Sequence, residues 1–330
     1  MLFCQVAAGL PDGWKAETGK PHEAVNMKIF LKIITNRNLI LSLAIILGLL
    51  VKTGDWIKHA TIPALAIVMI VSLTRISLKE FLPVKSIVKP VLQTILVNFF
   101  ISGSVMLLLA WLLVDDSRLW AGFIVLATAP PGVAIAPFAY ITGGDEKFSV
   151  VGMAGAYVAS LFLIPLAGFV LIGRNFASFP DLLIIFVELI IAPMVISQVL
   201  IRFKADRYIL KWHGAFVNWG LFVVIFAVVS LNRDVFLKDF KTLFIISVIS
   251  VVTIFGMWLV LKFSLKKLGF EERIAKSLIL AGTIKNSGFA AASSLALFGE
   301  KASLPGAIFS IFLIIFLIII GIKPSGTEKK

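Results

Sequence analysis

Apolar runs of about 18 residues or more recur along nearly all of this 330-residue chain, separated by short polar connectors. A run of that length, wound as a helix, crosses a hydrocarbon layer of about 30 Å. A soluble core has no use for so many of them. The chain is 59% hydrophobic, against about 45–50% for a soluble domain, and its mean hydropathy is +1.02. The expected fold class is an all-α polytopic membrane protein. Ten transmembrane helices are expected, at about 37–54, 60–78, 88–114, 119–143, 148–172, 181–202, 213–231, 241–264, 275–298 and 302–322. The lipid bilayer is therefore the first partner, and the oligomeric state is left open.

The net charge of +13 is read through the same frame. Basic residues collect in cytoplasmic loops of membrane proteins. The N-terminal segment, the even-numbered connectors and the C-terminal segment hold 22 Lys and Arg, against 8 on the other side, with Lys285 alone inside a span. Both termini are expected in the cytoplasm, in a protein of the cell (inner) membrane, and nucleic acid is not an expected partner. Residues 1–36 read as a cytoplasmic tail, with Met27 an alternative initiator, residues 37–322 as the membrane domain, and residues 323–330 as a second tail.

Several chemistries are disfavoured. Cys4 is the sole cysteine, so no internal disulfide forms. His22, His59 and His213 are too scattered for a metal centre. No Gly-Lys-Ser/Thr phosphate loop is present, which argues against an ATP-driven pump. Ser287, two residues from Lys285, is the sole suggestion of a nucleophile with a base, and positions so close in a broken helix make a poor dyad. The chain is not expected to be an enzyme, and no organic cofactor is expected.

Ten spans divide into five and five, approximately 37–172 and 181–322. An odd number per half gives the halves opposite orientation, the arithmetic of an inverted repeat. Spans four and nine share an oddity. In "WAGFIVLATAPPGVAIAPFAYITGG" the run breaks at Pro130, Pro131 and Gly132, where proline removes helix donors. In "IAKSLILAGTIKNSGFAAASSLAL" it breaks at Lys285, Asn286, Ser287 and Gly288. Broken backbone at membrane depth is tolerated where protein covers it or a cavity wets it. A matched pair in inverted halves points to a transport site, where helix N-termini suit an anion and C-termini a cation.

These residues resemble the bile acid:sodium symporter family. The likeness is carried by "APPG" in span four, "KNSGFAAA" in span nine and "FGEKASLPGAIFS" (298–310) leading into span ten. The resemblance implies crossing broken helices four and nine. It also implies a panel domain of spans one, two, six and seven, a core domain of the rest, and symport of organic anions, often carboxylates or steroid conjugates, with sodium. Asn286, Ser287 and Gly288 match the family's Asn-Ser-Gly. Lys285 stands where the family has glutamine, Ala281 where it has a sodium-binding glutamate, and Ala136 and Pro137 where it has a Ser-Asn pair. The expected function is a secondary active transporter of small organic anions with altered coupling, in which sodium loses its principal ligands and a proton is an alternative ion. Other readings are a proton-coupled or uncoupled carrier or exporter of the same broad fold group, and a membrane receptor that does not transport.

An intramembrane charge is costly, about 2.5–3.5 kcal/mol on insertion scales, and needs a partner, water or a job. Lys285 has three candidate roles: to stand in for a sodium ion, to pair with a substrate carboxylate, or to pair with Glu188 of span six. Asn98 of span three and Thr283 are candidate cavity-lining residues. The expected substrate-binding crossover is Pro131, Gly132, Lys285, Asn286, Ser287 and Gly288.

Overall fold

The computed structural model describes residues 36–74, 84–132, 135–173, 184 and 187–321. The two expected tails, with Met27, lie outside the described residues. Among the described residues the elements are helical. They are α1 (Arg37–Leu50), α2 (Lys58–Leu73), α3 (Val84–Ile95), α4 (Ser104–Leu113), α5 (Ser117–Thr128), α6 (Ile135–Thr142) and α7 (Glu146–Ile172). They continue as α8 (Ala192–Arg202), α9 (Asp206–Lys211), α10 (His213–Leu231), α11 (Arg233–Lys238), α12 (Phe240–Val251) and α13 (Met257–Lys267). The last three are α14 (Glu272–Thr283), α15 (Ser287–Phe298) and α16 (Glu300–Gly321).

Among the described residues six helical stretches are long and apolar enough to cross a membrane: Asp55–Leu73, Lys85–Leu113, Glu146–Ile172, His213–Leu231, Phe240–Lys267 and Glu300–Ile320. The chain is thus a multi-pass integral membrane protein. These six fall on expected spans two, three, five, seven, eight and ten. Expected spans four and nine each split in two, into α5 and α6 and into α14 and α15. Expected span one is the 14-residue α1. Span six is described from the π-helical turn Val187–Ile191 through α8, and the start of that run lies outside the described residues.

Two further stretches are wound as π-helix within continuous spans, Leu96–Gly103 between α3 and α4 and Val252–Gly256 between α12 and α13. A π-turn widens the helix and shifts the partners of backbone groups, and such turns often mark functional sites. The pair falls in spans three and eight, five apart in the count.

Two layers are visible in the packing. Helices α1, α2, α8 and α10 pack on one another, and α5, α14, α15 and α16 gather around the two breaks. The core is apolar and continuous through Phe123, Leu126, Phe289 and Phe309, all buried. Small residues set the closest approaches. Gly152, Ala156 and Ser160 of α7 are buried, and Gly152 meets Thr94 and the Pro90 carbonyl of α3. Gly122 of α5 lies against the Ala302 carbonyl and Pro305 of α16. Gly299 turns the chain between α15 and α16 at φ 84°, a conformation that disfavours a side chain.

The connectors sort to two ends. At one end the segment after α1 meets the end of α10: the Thr53 amide donates to Ser230 Oγ (2.8 Å) and Arg233 Nε to the Leu49 carbonyl (2.6 Å). At the same end Lys58 reaches Glu300 (2.8 Å) and Lys301 reaches Asp116 (2.8 Å). Asp116 also caps α5, accepting from the amides of Arg118 and Leu119. Burial pushes its carboxyl up, but Lys301 and those amides outweigh this and hold it below its ordinary value. At the other end the connector after α6 meets α14: the Asp145 amide donates to Ser277 Oγ (2.9 Å) and to the Arg273 carbonyl (3.2 Å). Connectors one, three, seven and nine thus meet at one end, and connector four joins the start of span nine at the other.

Gly122→Ala is expected to lower stability by about 1–3 kcal/mol, because the methyl group overlaps the Ala302 backbone, which cannot give way like a side chain. Gly214→Ala in α10 meets nothing within 4 Å and should leave the melting temperature unchanged or slightly raised. Thermal unfolding of the two purified variants in one detergent checks the contrast.

Candidate functional site

The two breaks meet. Helix α5 ends at Thr128 because Pro130 and Pro131 have no amide hydrogens to offer the carbonyls of Leu126 and Ala127. The chain then runs extended to Gly132. Helix α14 ends at Thr283, and Ile284–Asn286 run extended beside it. An antiparallel bridge pairs Pro131 with Lys285. The Gly132 amide donates to the Ile284 carbonyl (2.8 Å), and the Asn286 amide donates to the Pro130 carbonyl (2.9 Å). Gly132 eases this approach, since a Cβ there would lie a tight 3.2 Å from the Lys285 carbonyl oxygen. Broken backbone in the membrane interior is satisfied by other broken backbone, as the absence of water demands.

The Lys285 side chain completes the end of α5. Its ammonium donates to the Ala127 carbonyl (2.8 Å), the Asn98 carbonyl (3.0 Å) and Asn98 Oδ1 (3.2 Å). The Ala127 oxygen is the one left without its helical donor by Pro131. The Asn98 oxygen belongs to the π-helical turn Leu96–Gly103, whose altered spacing presents it to the crossover. Asn98 Nδ2 donates in turn to the Ala129 carbonyl (3.1 Å). The ring of Phe99 lies 5.7 Å from the ammonium, within cation–π range. Lys285 is 1% exposed, and its three N–H groups meet three oxygens. A positive charge at the C-terminal end of a helix is the favourable sign.

The second half-helix of span nine is started by Asn286, whose Oδ1 accepts from the Phe289 amide (3.1 Å). Its Nδ2 donates to the hydroxyl of Tyr157 on α7 (2.9 Å) and approaches Met69 Sδ of α2 (3.6 Å). Ser287 Oγ accepts from Ser310 Oγ of α16 (2.7 Å). A cavity of about 40 Å³ lies beside this turn, between Gly132, Lys285–Gly288 and Ser310 on one side and Val68, Leu221 and Ile225 on the other. It has room for a water molecule or two, not for an organic anion. A larger cavity of about 510 Å³ opens at the odd-connector end, lined by Lys58, Arg118, Asn232, Asp234, Glu300 and Lys301.

The six crossover residues named from sequence, Pro131, Gly132, Lys285, Asn286, Ser287 and Gly288, come together. Three other candidates lie elsewhere in this structure. Glu188 is exposed on the turn Val187–Ile191, while Lys285 is spent on Asn98 and Ala127, so the pair expected between them is not formed. Asn98 is fully buried and holds Lys285 instead of lining a cavity. Thr283 is fully buried and donates to the Ile279 carbonyl of its own helix (2.8 Å). Tyr157 and the backbone of Ala127 were missed. Nothing in the local sequence marks Tyr157, whereas the Ala127 carbonyl could have been found by asking which oxygen Pro131 orphans.

The side chains that replace the expected sodium ligands are apolar. Ala281 and Ala136 belong to one apolar cluster, on helices α14 and α6 that pack together. Neither they nor Pro137 carry a side-chain oxygen, and the oxygens of Asn98 and Ala127 already hold an ammonium. These residues do not fit a sodium ion. Among the described residues no cluster of three His, Cys, Asp or Glu could hold a metal ion.

The model of the sodium bile acid symporter family matches residues 62–239, more than half of the chain and including the first break. No curated protein matches the chain.

Removing the Asn98 amide should harm folding more than removing the charge it holds. Asn98→Leu leaves a buried ammonium short of acceptors and is expected to cost about 3 kcal/mol or more. Lys285→Met leaves only carbonyls under-satisfied, about 1–3 kcal/mol. The double variant should be more stable than the two costs added together. Melting temperatures of the four proteins give the cycle.

Proposed function

Because the chain belongs to the sodium bile acid symporter family, we propose that it is a secondary transporter of small organic anions in which the Lys285 ammonium takes the place of a bound cation. The observation that carries this reading is the seat of that ammonium: three oxygens at the C-terminal end of a broken helix, beside the start of another. The orphaned carbonyls call for hydrogen-bond donors, and a cation is the favourable charge at that end of a helix. Here the chain supplies it permanently.

The fold proposed is ten spans in two inverted halves, with α5–α6 and α14–α15 as the crossing pair. The paired breaks and the paired π-turns of spans three and eight support it. The panel is α1, α2, α8 and α10, and the core is the remainder. The cavity beside Asn286–Gly288 lies between them and is far smaller than an organic anion. Substrate entry therefore requires panel and core to part there, alternately at each end. The distribution of basic residues supports cytoplasmic termini, and the cell membrane is the membrane proposed.

Of the three roles open to Lys285, the first fits best. All three of its donors are used, so none reaches toward the cavity, and Glu188 is elsewhere. A substrate carboxylate would then be met by the Asn286–Gly288 turn and Ser310, with Lys285 lending its field from behind.

Flux of a labelled conjugated bile acid and of a panel of small carboxylates into proteoliposomes, in sodium and in choline, tests the reading. Uptake of at least one anion is expected to be equal in the two salts and to be lost in Lys285→Met, with the variant still folded. Uptake that needs sodium, or that survives in Lys285→Met, overturns it.

A further inference from the structure

Helices α2 and α10 are joined to the core at the odd-connector end by one polar cluster. Lys58 lies at the first position of α2. A positive charge is unfavourable at that end of a helix, so it needs acidic neighbours. It has two: Asp55 in its own connector (3.0 Å) and Glu300 of α16 (2.8 Å). Glu300 stands in the first turn of α16, where its sign is favourable. Asn232, at the end of α10, donates to the Glu300 carbonyl (3.1 Å) and to Ser303 Oγ (3.3 Å). A methyl or hydroxyl group at position 232 could not make both contacts.

These contacts cross the boundary between the two layers. Lys58 and Asn232 belong to the layer of α1, α2, α8 and α10, whereas Glu300 and Ser303 open α16. Another ion pair at this end, Lys301 to Asp116, stays within the core. The Lys58 and Glu300 side chains are 32% and 39% exposed, so the pair is half shielded. It also has a route to water, because both residues line the cavity of about 510 Å³. A contact that must break and re-form needs such wetting. From Leu221, which lines the inner cavity, α10 runs eleven residues to Asn232, about 16 Å at helical rise.

We propose that Lys58, Glu300 and Asn232 form a latch that holds the panel against the core and closes the crossover from the odd-connector side. The inference rests on the transporter reading for its purpose, and its test does not depend on flux. Opening exchanges the Lys58–Glu300 pair for hydration, and closing restores it. Because half-exposed pairs are weak, the latch is a bias on the open and closed populations, released without a large barrier.

The test is accessibility of Leu221→Cys in a Cys4→Ala background, reconstituted in vesicles and treated with a membrane-impermeant maleimide. Asp55→Asn is included throughout, so that a charge swap meets no repulsion. Lys52→Cys, on the same connector, calibrates which face the reagent reaches. Glu300→Gln is expected to raise labelling of Cys at 221 by about fivefold or more, the low end of usual coupling between states. The swap Lys58→Glu with Glu300→Lys is expected to return labelling to the starting level. Unchanged labelling in Glu300→Gln overturns the latch. Labelling raised equally in Glu300→Gln and in the swap also overturns it, because general loosening then explains both. Labelling that follows the pair while no anion moves in any variant keeps the latch and removes the transporter reading.

Discussion

The contact between the Lys285 ammonium and the end of α5 is what the two breaks depend on. Two consecutive prolines cost the helix its last donors, and in lipid no water replaces them. Lys285 returns one donor to Ala127, and Asn98, which it holds, returns another to Ala129. The backbone of each break also donates one hydrogen bond to the other. The two discontinuities are therefore one structural unit, drawn from distant parts of the chain and closed by a single charge. Mutual satisfaction explains how a lysine can be 1% exposed without an acidic partner: dipoles, and not a counter-ion, offset its desolvation.

Around this unit the sequence alternates rigidity and give. Gly122 and Gly152 bring helices of the core into contact with neighbouring backbone, where any side chain would intrude. Apolar faces fill the remaining space at close packing. Across the boundary to α2 and α10, the contacts are of another kind: a methionine sulfur near Asn286, a leucine over Gly288, a half-exposed ion pair at one end. Such contacts can be exchanged for water or for a ligand at small cost. On the transporter reading proposed, the choice of contact separates layers that hold from layers that part.

Much of this was legible in the sequence, and for physical reasons. Length and apolarity of the runs fix helices across a membrane, and consecutive prolines or a charged Asn-Ser-Gly turn break them wherever they occur. Pairing the breaks needed only counting. The partner of Lys285 was not legible, because hydropathy invites a search for a carboxylate and Glu188 was the acid at hand. The actual acceptors are two backbone oxygens and an amide, and backbone oxygens are invisible in a sequence. Asn98 was noticed as a polar residue in an apolar span, but its place depended on a π-turn that no residue pattern there announces. Thr283 followed the commoner habit of small hydroxyl residues and bonded back to its own helix.

A tethered cation differs from a bound one in a way that reaches function. A bound ion shifts a conformational equilibrium by its differential affinity for the two states, and its gradient supplies work because it arrives on one side and leaves on the other. An ammonium fixed to α14–α15 does neither. It can order the crossover and lend its field to an anion, and it is present at full strength in every state that keeps Asn98 and Ala127 in reach. What it cannot do is leave with the substrate. On the reading proposed, the structural part of the cation's task and the energetic part are separated. The structural part is retained by Lys285. The drive must then come from the anion's own gradient, or from a proton exchanged at that amine. The first makes the chain a uniporter or exchanger. The second requires the Asn98–Ala127 seat to open to water once per cycle, since a proton cannot leave an amine whose donors are all held in a dry site.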